Sequence, residues 1–176
     1  MEIIEAKPSD AKRIREIHLA AFGDEGESVA GLTDALFAEE ADPRPWHLVA
    51  VAEGALIGHV SFSSVGVGDQ GQGLGSILAP LAVDPAVQKK GAGSALVREG
   101  LRRCREQGDP VVFVYGDPAY YGRFGFAAGE LTEKFLPPCP AKYPFGWQAL
   151  EISACELPEA PVAIQCVAAL NKPDMW

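Results

Sequence analysis

A chain of 176 residues, 48% hydrophobic and 22% charged, has the composition of an ordinary globular protein and is long enough for one domain with its own core. Its net charge of −9 argues against non-specific nucleic-acid binding and would steer cations toward it. The four cysteines, Cys104, Cys139, Cys155 and Cys166, form no C-x-x-C pair and have no histidine at zinc spacing, so neither metal nor redox chemistry is signalled and buried or idle thiols in a reducing cytoplasm are expected.

The N-terminal stretch carries Glu2, Glu5, Lys7, Asp10, Lys12 and Arg13, and no apolar run approaches the ~18 residues of a membrane span. Residues 2–7 read as a short strand. Pro8, Ser9 and Asp10 then cap a helix whose apolar stripe is Ile14, Ile17, His18, Ala21 and Phe22. On that stripe, packing suits His18 better than catalysis. Gly23-Asp24-Glu25-Gly26-Glu27 interrupts the helix with acid, and Val29, Leu32, Leu36 and Phe37 carry a second one to about Glu40. The acidic junction is a soluble linker or an attractor for an ammonium group. Residues 47–52 and 55–65, either side of Glu53-Gly54, read as a hairpin. His59 falls in its second strand, where a structural role is favoured over general base.

Gly66-x-Gly68-x-x-Gly71 formally matches a dinucleotide fingerprint, but no helix follows it and no acid stands about 20 residues on. Residues 65–76 are instead a flexible connection. The next segment, Ser76-Ile-Leu-Ala-Pro-Leu-Ala-Val83, is a strand, and Pro80 within it marks a bulge or an unpaired edge, because proline cannot donate to a ladder. Asp84-Pro-Ala-Val-Gln88 turns the chain into Lys89-Lys90-Gly91-Ala92-Gly93-Ser94 at the head of a helix running to about Gln107. Unpaired N–H groups at a helix start, two glycines and two adjacent lysines together suit a pyrophosphate. Arg102, Arg103 and Arg105 read as a solvated face, with Glu99 and Arg103 at i,i+4. Val111 to Tyr115 is an apolar central strand, and the strand, helix, strand unit implies a right-handed crossover. A short helix over residues 119–124 and a sixth strand from Phe126 follow. Pro137, Pro138, Pro140 and Pro144 break regular structure, with further strands expected near 150–153 and 162–167.

Gln88-Lys89-Lys90-Gly91-Ala92-Gly93 after Leu81-Ala82-Val83, followed by Tyr121-x-x-x-Gly125-Phe126 after the strand 111–115, resembles the acetyl-CoA motif and catalytic tyrosine of the GNAT superfamily of N-acetyltransferases. The string from Gly116 to Phe126, GDPAYYGRFGF, is similar to a bacterial branch of predicted acetyltransferases. The resemblance covers about residues 3–126. It implies an α/β (α+β) domain over 1–176, with a motif-bearing core over 1–126 and the remainder, 127–176, walling the acceptor side. Its mixed, mostly antiparallel sheet of six to seven strands would have helices on both faces and a splay between the fourth and fifth strands.

The resemblance further implies that acetyl-CoA, without metal, is held by Leu81, Ala82, Val83, Gln88, Lys89, Lys90, Gly91, Ala92, Gly93, Ser94 and Tyr121. Acetyl would pass directly to a primary amine of a small molecule or protein in a ternary complex, in the cytoplasm, from a monomer or homodimer. The backbone N–H of Val83 would meet the oxyanion and Tyr121 would protonate the CoA sulfur. Packing in a cluster with Tyr120, Phe124 and Phe126 is the other reading of Tyr121. The fourth strand lacks the glutamate that several relatives keep, leaving Glu27, Asp24, Ser76 and His59 as candidate bases. That absence keeps open a non-catalytic acyl-CoA-binding regulatory module, and Tyr121 counts against it. A longer acyl chain also stays open. Tyr143, Phe145 and Trp147 are candidates to line the acceptor pocket, or to serve a core or dimer contact.

Overall fold

The computed structural model describes residues 1–68 and 73–176. Its strands are β1 (Glu2–Glu5), β2 (Trp46–Ala52), β3 (Ala55–Val65), β4 (Gly75–Val83), β5 (Val111–Tyr115), β6 (Phe135–Leu136), β7 (Trp147–Glu151) and β8 (Val162–Ala163). The helices are α1 (Ala11–Phe22), α2 (Gly26–Phe37), α3 (Ala92–Gln107), α4 (Pro118–Tyr121) and α5 (Glu130–Lys134). Six strands form a sheet in the order β1-β2-β3-β4-β5-β7, and β6 pairs with β8 in a second, two-stranded sheet. The α/β class and the mixed, mostly antiparallel sheet are as expected. No described helix is long and apolar enough to cross a membrane.

The chain divides into two compact units, Met1–Phe62 with Ala79–Leu101, and Ser63–Leu78 with Arg102–Trp176. In the first, β1 and β3 flank β2 in antiparallel register. Glu53 and Gly54 both take positive φ, 52° and 77°, the geometry a two-residue hairpin turn needs. Ile14 and Ile17 of α1, Leu48 and Ala50 of β2, and Val60 and Phe62 of β3 are fully buried. Two glycines permit close approach. A Cβ on Gly26 would lie 2.6 Å from the Leu19 carbonyl oxygen, and one on Gly100 would lie 2.2 Å from the Phe62 ring.

In the second unit, β4 and β5 run parallel from Gly75↔Val111 to Leu78↔Val114, and β7 lies antiparallel on β5. The parallel ladder ends at Leu78, just before the cis Ala79–Pro80 peptide, while β4 continues to Val83. This agrees with the expectation that Pro80 stands where ladder pairing fails. The sequence reading departs from the structure after α4. Phe126 begins no strand; Ala127 makes only an isolated bridge to Ala149, because Gly125 at φ +94° turns the chain. The strand expected near 150–153 lies earlier, as β7, and the one near 162–167 shrinks to two residues, since Gln165 leaves for an isolated bridge to Gly66. Of the connection expected over 65–76, residues 69–72 lie outside the described residues.

Candidate acyl-CoA and acceptor sites

The anion-binding loop is built from β4 outward. At its end, the Asp84 N–H donates to the Ile57 carbonyl at 2.9 Å, and the Asp84 carboxylate caps the turn Pro85–Val87 through Ala86. That backbone bond, and then Arg13, hold the Asp84 carboxyl below the usual carboxylate range. Arg13 also donates from Nε to the Leu56 carbonyl at 3.2 Å, so one side chain of α1 ties β3 to the loop entrance. Nothing in the sequence marks this pair, which stands 71 residues apart.

Gln88 leans back, its Nε2 donating to the Val83 carbonyl at 3.0 Å. Lys89 at φ +61° and Gly91 at φ +93° then reverse the backbone into α3. A Cβ on Gly91 would meet nothing within 4 Å, so conformation demands glycine here and the space beside it is open. Ala95 N–H donates to the Gly91 carbonyl at 2.9 Å. The N–H groups of Ala92, Gly93 and Ser94 therefore precede the first intrahelical bond and point out of the helix start. Lys89 and Lys90 are exposed. Such a terminus is an anion site. Leu81, Ala82 and Val83 form the last turn-free stretch of β4 before it.

The candidate bases of the same unit part ways. Glu27, in the first turn of α2, is exposed and ion-paired to Arg15 at 2.7 Å, with Asp34 on the same guanidinium at 2.6 Å. Asp24 lies in the short turn Gly23–Glu25 between α1 and α2. All three histidines are buried together. His18 Nε2 meets His59 Nδ1 at 2.9 Å, His59 Nε2 meets His47 Nδ1 at 3.3 Å, and His47 Nδ1 meets Ser61 Oγ at 2.9 Å. Phe37 stacks on His47 at 3.8 Å and Phe22 on His18 at 5.9 Å. Burial lowers His18 and His47 to about 4 and His59 well below its usual value. They are neutral packing residues at pH 7, as the apolar stripe predicted for His18.

In the second unit, Asp117 caps α4 by accepting from Ala119 N–H at 2.9 Å, with Pro118 at the first helical position. Tyr121 follows at the end of that single turn. A Cβ on Gly116 would lie 2.5 Å from its ring, so Gly116 admits Tyr121 against the chain. Tyr121 meets Tyr120 at 5.0 Å and Phe126 at 5.9 Å, both edge to face, which makes the aromatic cluster real. Burial, then Tyr120, pushes the Tyr121 hydroxyl upward; it stays a proton donor throughout the neutral range. Ser76 is spent elsewhere, donating to Asp109 Oδ2 at 2.6 Å.

A cavity of about 340 Å³ opens at the C-terminal end of β5, lined by Tyr115, Gly116, Asp117, Tyr143, Phe145 and Gly146. Tyr143 and Phe145 are 50% and 66% exposed on this wall. The Tyr143 N–H donates to the Tyr115 hydroxyl at 2.8 Å, anchoring this wall to β5. Trp147 takes the other course. It is buried, stacks on Phe113 at 5.1 Å and donates its indole N–H to the Phe135 carbonyl at 2.8 Å, so it is a core residue. Tyr115 and Asp117 were not singled out in the sequence, although a tyrosine and a capping Asp closing an apolar strand were a visible signal. Among the described residues no group of three or more His, Cys, Asp or Glu is placed to hold a metal ion.

A parallel β4–β5 pair in a mixed sheet, with a left-handed glycine loop feeding a helix start, defines an α/β domain with an anion-binding loop at the end of β4. The model of the acetyltransferase (GNAT) family matches residues 11–126, and the chain belongs to that family. It is 36% identical over 149 residues to the uncharacterized N-acetyltransferase YjhQ of Escherichia coli, spanning 83% of this chain and 81% of YjhQ. Two solved structures share the fold at 29% identity. A GNAT family acetyltransferase from Brucella melitensis in complex with acetyl-CoA has a TM-score of 0.74 and 96% coverage of both chains. The YhbS N-acetyltransferase of Escherichia coli in complex with CoA has a TM-score of 0.79, covering 97% of this chain and 92% of that one.

Proposed function

We propose that this acyltransferase moves acetyl from acetyl-CoA directly to a primary amine within a ternary complex. The observation that carries the reading is the loop from Gln88 to Ser94, whose left-handed Lys89 and Gly91 set three helix-start N–H groups beside open space. The relatives with bound acetyl-CoA or CoA support the same use of the loop.

In this reaction the amine nitrogen attacks the thioester carbonyl carbon, a C–N bond forms and the C–S bond breaks. A lysine-like ammonium has a pKa near 10.4, so its deprotonation at pH 7 costs roughly 4–5 kcal/mol. Glu27, ion-paired with Arg15, is the proposed acceptor of that proton. The Val83 N–H receives the oxyanion. Tyr121 gives its proton to the departing CoA thiolate, a role supported by the burial that keeps its hydroxyl protonated. We assign the acceptor side to residues 127–176, with Tyr143 and Phe145 offering aromatic faces and Asp117 a carboxylate to a cationic amine. The 48% apolar, net-negative chain suits a cationic partner.

Calorimetric titration with acetyl-CoA, followed by an amine panel with thiol release as readout, tests the proposal. Binding with amine-dependent release is the expected result. Tight binding with no release from any small amine moves the acceptor to a protein, and no binding removes the assignment of the loop.

A further inference from the structure

Gln148 is the odd member of an apolar strand. It is 1% exposed, sits between buried Trp147 and Ala149 on β7 and lies opposite Val114 of β5. Its Nε2 carries two hydrogens and donates to two carbonyls, that of Gly116 at 3.1 Å and that of Gly146 at 3.3 Å. Its Oε1 is buried with no partner among the described residues. A buried amide with an unmet acceptor is costlier than an apolar side chain of the same size, so packing alone does not account for glutamine here. What the amide does is bridge two segments, the chain leaving β5 at Gly116 and the chain entering β7 at Gly146.

Both bridged glycines line the aromatic cavity. Gly116 is held at both of its polar atoms, since its N–H donates to the Gly146 carbonyl at 2.9 Å while its carbonyl accepts from Gln148. Each glycine also lets a ring come close. A Cβ on Gly116 would lie 2.5 Å from the Tyr121 ring, and one on Gly146 would lie 3.0 Å from the Tyr115 ring and 3.2 Å from the Gly116 carbonyl oxygen. Displacing Gly116 therefore moves the surface on which Tyr121 rests, and displacing Gly146 moves the segment that carries Tyr143 and Phe145.

We propose that Gln148 is a positioning residue that fixes Gly116 against Gly146, and through them both the shape of the acceptor cavity and the placement of Tyr121. The role rests on the acetyl-transfer reading, in which the cavity takes the amine and Tyr121 protonates the departing thiolate. Gln148 is not a lining residue of the cavity, so it acts through its two carbonyl partners. Without its two donors the Gly116 carbonyl loses that partner, and the chain between β5 and α4 is tied to β7 by the Gly116 N–H alone. Amine binding and proton donation should both suffer. The loop from Gln88 to Ser94 is built from other elements, so acetyl-CoA affinity should not.

The test variant is Gln148→Met in the full chain, which keeps the length of the side chain and removes both donors. Gln148→Asn, which keeps the amide and shortens its reach by one carbon, gives the same test if the first variant does not fold. Hydrogen–deuterium exchange without ligand should be about tenfold faster over residues 116–121 and 143–148 and unchanged elsewhere, with the melting temperature within about 2 °C of the parent. Thiol release is then followed with acetyl-CoA and the best acceptor among 2-phenylethylamine, putrescine and poly-lysine. The variant should lose about tenfold in kcat and raise KM for the acceptor about fivefold, with KM for acetyl-CoA unchanged. Adding Tyr121→Phe separates positioning from a general loss of structure. If Gln148 acts through Tyr121, the double variant should match the kcat of Tyr121→Phe within about twofold, whereas independent defects multiply. Unchanged kinetics in Gln148→Met, a uniform rise in exchange, or multiplied defects in the double variant would each overturn the role of Gln148 while the parent chain still turns over. No thiol release by the parent chain with any of the three acceptors would instead strike the acetyl-transfer reading, and the role of Gln148 with it.

Discussion

His18 Nε2 and His59 Nδ1 lie 2.9 Å apart in a fully buried contact, and the direction of their bond follows from the far end of the imidazole chain. His47 donates to the Leu36 carbonyl, which leaves its Nδ1 to accept from Ser61 and from His59 Nε2. His59 Nδ1 must then accept from His18 Nε2, and His18 Nδ1 ends the chain without a partner among the described residues. A proton added at His18 Nδ1 would be a buried N–H with no partner among the described residues.

Acid should therefore unfasten the first unit. His18 and His47 titrate near 4 when folded and near 6.5 when unfolded, so between those values the unfolded state binds more protons. Their stabilising effect is complete above pH 6.5 and is lost as pH falls toward 4, a loss on the order of 3 kcal/mol for each. Urea unfolding at pH 7.5, 5.5 and 4.5 should show the midpoint falling across that window. A flat profile would mean that the imidazoles are not buried neutral in solution.

The loop is tested by two substitutions at one site. Gly91→Ala places a Cβ at φ +93° and should cost about 1 kcal/mol of stability while sparing most acetyl-CoA affinity. Gly91→Glu adds the same strain plus bulk and negative charge in the open space, and should remove measurable binding from a folded protein. Calorimetry and thermal melting on both variants separate strain from charge. Equal affinity in the two would dismiss the loop as the anion site.

For Tyr121→Phe, the expected change is a fall in kcat of about 10² with acetyl-CoA affinity nearly unchanged. The ring, and with it the edge-to-face contacts to Tyr120 and Phe126, is retained. Steady-state kinetics with an amine found in the panel decide the matter, and full turnover in the variant would leave Tyr121 a packing residue.

Phe145→Ala should raise KM for the amine several-fold and leave KM for acetyl-CoA alone, since Phe145 is an exposed cavity wall and its loss opens no core. Trp147→Ala makes the contrast. That residue is buried on Phe113 and should cost about 3–5 kcal/mol of stability. A Phe145 variant with unchanged kinetics would move the acceptor away from this cavity.

What the sequence determined by itself was local. The two-residue turn at Glu53-Gly54, the apolar stripe of α1 and the glycine loop at the head of α3 each depend on neighbours within a few residues, and each is where the pattern placed it. The tertiary structure decided what depends on distance along the chain. Arg13 reaching Asp84 and the gathering of His18, His47 and His59 join side chains that no spacing relates. The pairing of β6 with β8, two short segments far apart in the chain, is of the same kind. Phe126 shows the same limit from the other side. Its apolar neighbours suggested a strand, but a strand exists only where a partner's N–H and C=O groups complete its ladder, and there only Ala127 finds one.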